Sequence, residues 1–391
     1  MPLRFLTAGE SHGPALTTII EGLPAGVPVD KATIDRELRR RMGGYGRGGR
    51  MKLEADEVEI LGGTRFGRSL GSPIALLIRN RDYINWRQSM DPQGSRPSGD
   101  EIRAITRPRP GHADLAGALK FGTHDARDIL ERASARETAA RTAAGAVAKA
   151  LLRELGIVVT SRTVAVGGAL AGTDEGDDID ALLALPDDAP MRSPSAATVE
   201  AMMAAVDEAR GRADSVGGSF EVMARGIPPG IGSHVHWDRR LDARLGAALL
   251  SIQAVKGVAI GDGIEVAGGG GREAHDPIGY DPSKRGFTRP SNRAGGIEGG
   301  MTNGEIVRLR AYLKPLATIP AALPSVDLVT KEPSIADVER TDTVPIVAAG
   351  VVGEAMASLV LADAMLEKFG GDSLGETRAN LDAYLRSLRE Y

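Results

Sequence analysis

Short β-branched segments and longer segments of helical periodicity follow one another along the chain, and they predict its secondary structure. Segments rich in Val, Ile and Thr and bounded by Gly, Pro or polar residues are typical of strands. The segments that fit this pattern are 15–21 (ALTTIIE), 73–79 (PIALLIR), 158–166 (VVTSRTVAV), 220–224 (FEVMA) and 306–313 (IVRLRAYL). We expect these segments to form the sheets of the protein.

Longer segments carry apolar residues at helical spacing and predict helices. They are 30–42, 134–155, 241–255, 348–369 and 374–388. In the first, Asp30 is a candidate N-cap, and Ile34 and Leu38 share one face. In the second, Ser134 and Glu137 have the spacing of a capping box.

The order of these elements indicates the fold class. The predicted strands do not alternate one for one with helices, which argues against a doubly wound parallel sheet and favours an α+β fold. The segment 241–255 ends near Gly257, a typical helix stop. We predict one domain over 1–391, with a loop at 182–195 and a long irregular loop at 267–290.

Composition and charge narrow the classes of protein to which the chain can belong. It has 391 residues, no cysteine and a formal net charge of −4. The lack of cysteine excludes disulfides, thiolate nucleophiles and Cys-bound zinc. The acidic balance disfavours bulk nucleic-acid binding. The N-terminus lacks a signal peptide's apolar core and no run of 18 apolar residues predicts a membrane helix, so we expect a cytoplasmic protein.

Two of the six histidines stand in Gly-flanked turns that would admit a ligand. His12 lies in GESHG (9–13), and His112 lies in RPGHAD (109–114), where Asp114 could orient the ring. A histidine can donate or accept a proton near neutral pH. The alternative is an ordinary hydrogen-bonded histidine, which is the expectation for His124 and His275. No third ligand accompanies His234 and His236, so we predict no metal site.

Clustered arginines form a second group of candidate functional residues. The tract 36–50 contains six arginines, among them Arg41 and Arg47, interleaved with glycines and Tyr45. Arginines packed this closely repel one another unless an anion lies between them, and their planar guanidinium groups suit phosphate and carboxylate. A solvated basic helix face and an RNA-binding tract are the alternatives.

Two further arginine motifs also suggest anion binding. Arg132, Ser134 and Arg136 lie at a predicted helix start, where free N–H groups and the helix dipole favour anions. The alternative there is a helix-capping salt bridge to Glu137. Arg340-Thr341-Asp342 precedes an Ala-rich helix and could hold an anion beside a proton acceptor; the alternative is a surface Arg with a capping Asp.

Two glycine-rich stretches are candidate ligand platforms. The run 267–271 does not lie between a strand and a helix, so it is not a dinucleotide fingerprint. The run 293–300 (RAGGIEGG) precedes a strand and Lys314-Pro315, and a flat ring could lie on it because no side chain would block the approach.

Taken together and in order, these motifs resemble the chorismate synthases from Phe5 to Phe369. The segments that carry the resemblance are GESHG (9–13), RRRMGGYGRG (39–48), RPGHAD (109–114), RASARETAAR (132–141), SIQAVKG (251–257), NRAGGIEGGMTNG (292–304), LKPLAT (313–318) and RTD (340–342). The resemblance implies helices sandwiched between antiparallel sheets (a β-α-β sandwich) and a homotetramer. It implies the shikimate-pathway reaction, the anti-1,4-elimination of phosphate from 5-enolpyruvylshikimate 3-phosphate to chorismate. That carbon–oxygen lyase reaction, a step in aromatic amino acid biosynthesis, needs reduced FMN without net redox change.

The same resemblance implies roles for individual residues. His12 would lie near the leaving phosphate, His112 beside the flavin, and Asp342 where the substrate proton leaves. The substrate or NADP anchors would be Arg41, Arg47 and Arg136. The FMN-binding positions would be Arg132, Ala133, Ser134, Gln253, Ala254, Gly299, Lys314, Pro315, Leu316, Ala317, Thr318 and Arg340.

The source of reducing power is a separate expectation. Many family members have Ser or His between the Arg and Asp of the last motif, where this chain has Thr341, which keeps a hydroxyl. The chain shows no additional nucleotide-binding module, so we expect a separate flavin reductant, with NADPH as a possible indirect source. A flavin reductase or other FMN oxidoreductase is the rival enzyme.

Overall fold

Two antiparallel sheets enclose a layer of helices in the computed structural model, which describes residues 2–48, 55–94, 102, 104–171, 178–283, 285–339 and 341–391. Helix α4 (Thr138–Glu154) packs on the inner face of the first sheet, and α10 (Ile346–Phe369) packs on the inner face of the second. The two helices also pack on each other. The predicted α+β sandwich of helices between antiparallel sheets is therefore confirmed.

The first sheet has four strands in the order β1-β2-β6-β3, and the second has five in the order β10-β15-β9-β7-β8. The strands of the first are β1 Arg4–Ala8, β2 Ala15–Glu21, β3 Val58–Gly62 and β6 Ile74–Arg79. Those of the second are β7 Val158–Val166, β8 Ala169–Leu170, β9 Gly218–Arg225, β10 Val255–Ile260 and β15 Val307–Leu313. Two-stranded ribbons join β4 Thr64–Arg65 to β5 Arg68–Ser69, β11 Gly279–Asp281 to β12 Gly286–Thr288, β13 Ile297–Glu298 to β14 Met301–Thr302, and β16 Pro324–Val326 to β17 Pro333–Ile335.

The helices lie between the sheets and around their edges. They are α1 Lys31–Met42, α2 Asp114–Phe121, α3 Arg127–Ala133, α4 Thr138–Glu154, α5 Ile179–Ala184, α6 Ala196–Gly211, α7 Leu241–Leu250, α8 Gly263–Val266, α9 Gly271–Ala274, α10 Ile346–Phe369 and α11 Leu374–Glu390. Short 3₁₀ turns cover Arg81–Asn85, Ala135–Glu137 and Trp237–Arg239.

The five predicted strands are all present, with bounds that differ by at most two residues at either end. In β2, Leu16, Thr18 and Ile20 are buried and alternate with more exposed residues, which is the period of a half-buried strand. Helix α1 also begins as predicted, because the Asp30 carboxylate accepts the backbone N–H of Thr33 at 2.9 Å.

Two helix predictions were wrong in detail. The Ser134–Glu137 capping box does not form: Ser134 Oγ accepts the N–H of Arg136 at 3.2 Å, and the Glu137 carboxylate accepts from Gln253 instead. The helix predicted to run to 255 ends at Leu250, since Val255 already pairs with Leu313 in the second sheet. Tertiary pairing overrides the apolar periodicity at that point.

The segment 267–290 was predicted as a long irregular loop, and this was wrong in part. It contains the short helix α9 and the hairpin β11–β12, in which Tyr280 pairs with Phe287. The loop predicted at 182–195 starts three residues later, because 182–184 belong to α5, and it runs from Leu185 to Ser195, the N-cap of α6.

Helix α10 forms the centre of the core. It spans 24 residues with a mean hydropathy of 1.7 over its most apolar window, which is long and apolar enough to cross a membrane. However, 89% of that window is buried inside the protein, where the helix packs on α4, α7 and the second sheet. These features are those of a core helix, whose apolar residues face protein on all sides.

Helices α4 and α10 approach closely because Gly145 faces Ala355. A Cβ on Gly145 would lie 2.3 Å from the Ala355 Cβ, whereas a Cβ on Gly246, within α7, would meet nothing within 4 Å. We expect Gly145→Ala to destabilise the protein by about 1–3 kcal/mol, because the packed helices must separate. Gly246→Ala should stabilise it by about 0.5–1 kcal/mol through helix propensity alone.

Denaturant unfolding of both variants measures this difference. Both substitutions replace a helix-interior glycine by alanine, so the intrinsic propensity gain is matched and only the packing differs. Equal stabilisation of the two variants would contradict the close approach of α4 and α10.

Candidate active site

A cleft with a volume of about 400 Å³ opens between the helix layer and the loops that follow β1, α1 and β15. This volume is in the range of small-ligand sites. The predicted site residues that line it are His12, Arg41, Arg47, His112, Ala133, Ser134, Arg136, Gln253, Ala254, Lys314, Leu316, Ala317, Thr318 and Asp342. Sequence motifs up to 330 positions apart therefore meet in one place.

His12 is held by a buried carboxylate at the side of the cleft. Glu131, near the end of α3, accepts the His12 backbone N–H at 2.8 Å and lies 2.9 Å from ring atom Nδ1. Burial opposes ionisation of Glu131, but hydrogen bonds and charge from His12, with the charge of Arg127, hold the pKa of that carboxyl below its usual range. The Nδ1 side of the ring is thus engaged, and Nε2 is the nitrogen left for a ligand.

An indole ring fixes the plane of the same imidazole. Trp86 stacks on His12 with ring centroids 3.9 Å apart and an interplanar angle of 29°. Its Nε1 donates to Asp82 at 3.0 Å, and the Arg127 guanidinium lies 5.1 Å from its ring centroid. His12 is 8% exposed. Glu131 holds the Nδ1 edge of its ring and Trp86 covers one face, so the orientation of the imidazole is fixed before any ligand binds.

His112 has an equivalent arrangement on another wall. Its Nδ1 lies 2.5 Å from Asp114 Oδ1, as the two-residue spacing predicted. Arg109 binds the same carboxylate through Nε at 2.8 Å and reaches Thr318 Oγ1 at 2.8 Å. Although burial opposes ionisation, hydrogen bonds from His112 and Arg109 hold the pKa of Asp114 far below its usual range. The Nδ1 atom is therefore turned to protein and the ring edge bearing Nε2 remains.

Arg41 and Arg136 are brought together by Asp56. Arg136 donates to Asp56 at 2.6 Å and to the Asn80 side chain at 2.8 Å. Arg41 Nη1 lies 3.6 Å from the same carboxylate, and its Nε donates to Thr138 Oγ1 at 2.9 Å. One buried carboxylate thus stands beside two buried guanidinium groups on this wall. The alternative of a helix-capping salt bridge from Arg136 to Glu137 does not form, because Arg136 pairs with Asp56 and Glu137 pairs with Arg141.

Arg47 and Asp342 form the wall that links the loop after α1 to the segment before α10. Arg47 Nη1 donates to Asp342 Oδ2 at 2.7 Å, and the Gly48 N–H donates to Oδ1 at 2.6 Å. A Cβ on Gly48 would lie 2.6 Å from the Thr341 carbonyl oxygen, so only glycine permits this approach. Asp342 is therefore an ion-paired cleft residue, and Arg340 lies outside the described residues.

The opposite wall has the features of a flavin site. Leu313, Leu316 and Ile252 supply an apolar surface, and Gln253 Oε1 is buried without a hydrogen-bond donor among the described residues. Ala254 has φ of 68°, a strained conformation of the kind found at ligand sites. Lys314 lies near the backbone of Gly111, donating to its carbonyl at 2.7 Å. Burial and the like charge of Lys256 lower the pKa of Lys314. An apolar wall, an unsatisfied acceptor and one cation fit a flavin ring and its phosphate.

Three predicted cofactor residues do not line this cleft. Arg132 instead donates to the carbonyls of Thr7 and Gly9, both at 2.9 Å, and so supports the loop that carries His12. Pro315 lies between lining residues without lining the cleft itself, and Gly299 sits in the β13–β14 turn.

The interpretation of 293–300 as a flat platform was wrong for its first glycines. A Cβ on Gly295 would lie 2.3 Å from the Gly261 nitrogen, and one on Gly296 would lie 2.6 Å from the Ile306 carbonyl oxygen. Their faces are covered by neighbouring backbone, and a ring could not lie on them.

The surroundings of the other arginines in the 36–50 tract test the RNA-binding alternative. Arg36 pairs with Asp187 at 2.7 Å, and Arg40 is buried in a bidentate pair with Glu354 at 2.8 Å. Arg41 and Arg47 are directed to the cleft and Arg39 is exposed, so the described arginines of this tract do not form a continuous basic surface. This argues against the RNA alternative.

The remaining histidines lie outside the cleft. His234 and His236 occupy an exposed turn rather than a strand, so they do not share a sheet face, and His236 contacts Asp238 at 2.6 Å. Within the described ranges, no group of three or more His, Asp or Glu side chains could hold a metal ion. His124 and His275 are exposed.

Sequence reasoning missed the hydrogen-bond acceptors that hold the histidine and arginines of the site. Glu131, Asp56 and Asn80 were not identified, because each lies far along the chain from the residue it supports. Glu131 carried one available signal: it directly precedes the Arg132 motif, and a buried acid there needs a cationic partner. Arg109 was quoted within a motif, but its bond to Thr318 could not be inferred.

Comparisons with known proteins settle the family. A profile of the family described as chorismate synthase matches residues 3–366. The chain is 54% identical to the chorismate synthase of Solibacter usitatus over 389 residues, covering 100% of both chains. It is 53% identical to that of Symbiobacterium thermophilum, covering 99% of both. The chain belongs to the chorismate synthase family.

A solved structure extends the same likeness to the fold. A crystal structure of a chorismate synthase is 41% identical to this chain, with a TM-score of 0.79, and covers 100% of this chain and 99% of its own. Members of the chorismate synthase family are carbon–oxygen lyases acting on a phosphate ester, and this chain is one of them. The family reaction turns 5-enolpyruvylshikimate 3-phosphate into chorismate and requires a flavin.

Proposed function

We propose that this cleft eliminates phosphate from 5-enolpyruvylshikimate 3-phosphate with reduced FMN as its cofactor. The observation that carries the proposal is the meeting of His12, His112, Arg47, Arg136 and Asp342 around one cleft, from motifs spread over the chain. Cations of this number suit a substrate with one phosphate and two carboxylates.

The arginines would bind the substrate and offset the charge on the departing phosphate. Arg41 and Arg136 are buried and fixed by Asp56, so little reorganisation would accompany binding. Preorganised cations in a water-poor cleft stabilise developing negative charge better than solvent does. Arg47 would exchange part of its pairing with Asp342 for a substrate anion.

His12 would act as the proton donor to the leaving phosphate. Its Nδ1 is held by Glu131, so the proton transferred would come from Nε2. On the flavin side, His112 would hold a proton through Nε2, since Asp114 and Arg109 occupy its Nδ1 side. Asp342 would assist removal of the ring proton, because its carboxylate lines the cleft and is held in place by Arg47 and the Gly48 N–H.

The reduced flavin, when bound, supplies the electron density that makes departure of the allylic phosphate feasible. Lys314, Ala317 and Thr318 from the segment after β15, together with Ala133, Ser134 and Gln253, would hold it. We propose FMN because the cation of Lys314 lines this part of the cleft and could bind the phosphate of the cofactor. NADPH would act only indirectly, through a separate reductant.

We further propose a cytoplasmic homotetramer. The outer face of the first sheet carries Leu6 opposite Ile19 on β1 and β2, with 71% and 43% of their surfaces exposed. The exposed face of an antiparallel sheet is normally polar, so a second copy of the chain would cover these residues. Analytical ultracentrifugation that finds only monomer would contradict the assembly.

An anaerobic assay tests the proposed reaction. Purified protein, chemically reduced FMN and 5-enolpyruvylshikimate 3-phosphate should yield chorismate and inorganic phosphate in equal amounts. Oxidised FMN with NADPH, and no added reductase, should not support steady turnover. Phosphate release without chorismate would contradict the elimination, and NADPH-driven turnover would show that the chain reduces its own flavin.

Arg47→Ala should weaken substrate binding, because a charged hydrogen bond to an anion is lost. We expect KM to rise about 10- to 100-fold, the equivalent of about 1.5–3 kcal/mol. Arg36→Ala is a matched control from the same tract, since Arg36 pairs with Asp187 on the surface and does not line the cleft. Steady-state kinetics that show equal KM for the two variants would move the anion site elsewhere.

A further inference from the structure

We infer that Glu131 is a positioning residue whose carboxylate acts on the His12 imidazole and directs Nε2 into the cleft, with Trp86 fixing the plane of the ring. The inference rests on the proposed role of His12 as proton donor to the phosphate. It adds a carboxylate–imidazole dyad to the cleft, built from the loop after β1 and the last turns of α3.

The first support is the number of contacts that one carboxylate makes with one short loop. Glu131 accepts both the backbone N–H and the ring Nδ1 of His12, and its own carbonyl accepts the Ser11 N–H at 3.0 Å. The loop therefore cannot shift along α3 without breaking several hydrogen bonds. A carboxylate bound at Nδ1 selects the tautomer and orientation of an imidazole and stabilises its protonated form.

The second support is the burial and charge of the pair. Glu131 is 2% exposed, and Arg127 Nη1 donates to its Oε1 at 2.9 Å. Arg127 alone could satisfy the carboxylate, but both oxygens also lie within 3.0 Å of His12 Nδ1. The buried carboxylate therefore binds the imidazole as well as the guanidinium group, and both of its oxygens contribute to holding the ring.

The third support is Trp86, which covers one face of the His12 ring. The indole lies against the imidazole at 3.9 Å, while its Nε1 is tied to Asp82. The ring is thus restrained at Nδ1 and on one face, and the accessible direction is from Nε2 into the cleft. Restraint of this kind before substrate binds avoids an ordering cost during the reaction.

The arrangement provides its own reporter. The chain has two tryptophans, and the second, Trp237, is 73% exposed in the Trp237–Arg239 turn. In a Trp237→Phe background, fluorescence therefore comes from Trp86. A protonated imidazole stacked on an indole quenches its emission more than a neutral one does. A pH titration of emission would follow His12 without substrate or cofactor.

The expected result is a shift of that titration. Glu131→Gln removes the charge at nearly constant size, and the emission transition should move to lower pH than in the parent. Glu131→Asp keeps the charge and should leave the transition near that of the parent. His12→Ala should abolish it, which assigns the signal. An unchanged transition in Glu131→Gln would overturn the inference.

Other charged groups near the ring stay constant in this comparison. They are Arg127 on α3, Asp82 beneath Trp86, Glu10 on the same loop, and the arginines, Lys314, His112, Glu339 and Asp342 of the cleft. Because none of them changes between parent and variant, a shift reports the Glu131 charge.

A second measurement does not depend on a folded variant. In histidine-labelled parent protein, nitrogen NMR of neutral His12 should show the proton on Nδ1, whereas free imidazole side chains prefer Nε2. An Nε2-protonated ring would overturn the inference.

With substrate and reduced FMN, Glu131→Gln should lower kcat about 10- to 100-fold with KM nearly unchanged. If the pH shift appears but no chorismate forms in the parent, the dyad stands and the proposed reaction fails.

Discussion

His12→Ala is expected to lower kcat at least about 100-fold, since a positioned general acid contributes about 10²–10⁴ in rate. Binding of FMN should change little, because the flavin-like wall of Gln253, Ala254 and Lys314 is formed by other segments. The physical reason for the loss is that the departing phosphate would leave without a proton from Nε2. Stopped-flow measurement of chorismate formation with reduced FMN gives kcat directly.

His124→Ala is the matched control for this variant. His124 is exposed and lies outside the cleft, so the same deletion of an imidazole should leave kcat unchanged. Turnover of His12→Ala within a few-fold of the parent would show that another group protonates the phosphate. A loss of FMN binding in the same variant would place His12 beside the cofactor instead.

Glu354→Ala is expected to cost about 3–5 kcal/mol of stability, the range for removing one partner from a buried ion pair. Glu354 is fully buried on α10 and receives two hydrogen bonds from Arg40 at 2.8 Å, one from Ser161 at 2.6 Å and one from Lys149. Without Glu354, the three cations Arg40, Lys149 and Arg192 share the buried carboxylate of Glu37. Their positive charge is then poorly compensated in the core.

Asp180→Ala is the control for that loss. Asp180 also pairs bidentately with an arginine, Arg225, but both side chains are largely exposed, so the expected loss of stability is much smaller than for Glu354→Ala. Urea unfolding of the two variants compares them. Equal destabilisation would show that burial of the Glu354 cluster has no special weight.

The same cluster predicts the direction of acid sensitivity. Burial opposes ionisation of Glu354 and Glu37, but the charges of Arg40 and Lys149 lower the pKa of both carboxyls below 4.5. A depressed pKa in the folded state adds stability above the unfolded value, and that contribution is lost as the pH falls through the folded pKa. Stability should therefore decline below about pH 4.5 in the parent, and decline less steeply in Glu354→Ala.

The fold class could be predicted because local patterns and tertiary packing agree over most of the chain. The β-branched composition of 15–21 and 158–166 placed β2 and β7 at their observed bounds, and helical periodicity with an Asp30 cap placed α1. Where the pattern failed, a distant partner decided. The apolar run after Leu250 continues into β10 because Val255 pairs with Leu313, 58 positions further along the chain.

The residue types indicated the chemistry of the site. Gly-flanked imidazoles, clustered guanidinium groups and a helix start indicated an anionic ligand, and the ordered motifs indicated the chorismate synthase family, which the comparisons then established. The sequence by itself therefore determined the family, the α+β class and 14 of the residues that line the cleft, since these depend on identity and local spacing.

Only the tertiary structure decided which acid supports which cation. Glu131 meets His12 across 119 positions, Asp56 meets Arg136 across 80, and Asp342 meets Arg47 across 295. The same structure separated Arg40, which stabilises the core, from its neighbour Arg41, which lines the cleft. Adjacent helix residues point about 100° apart, and the direction that faces a ligand depends on what packs around the helix, which local sequence does not encode.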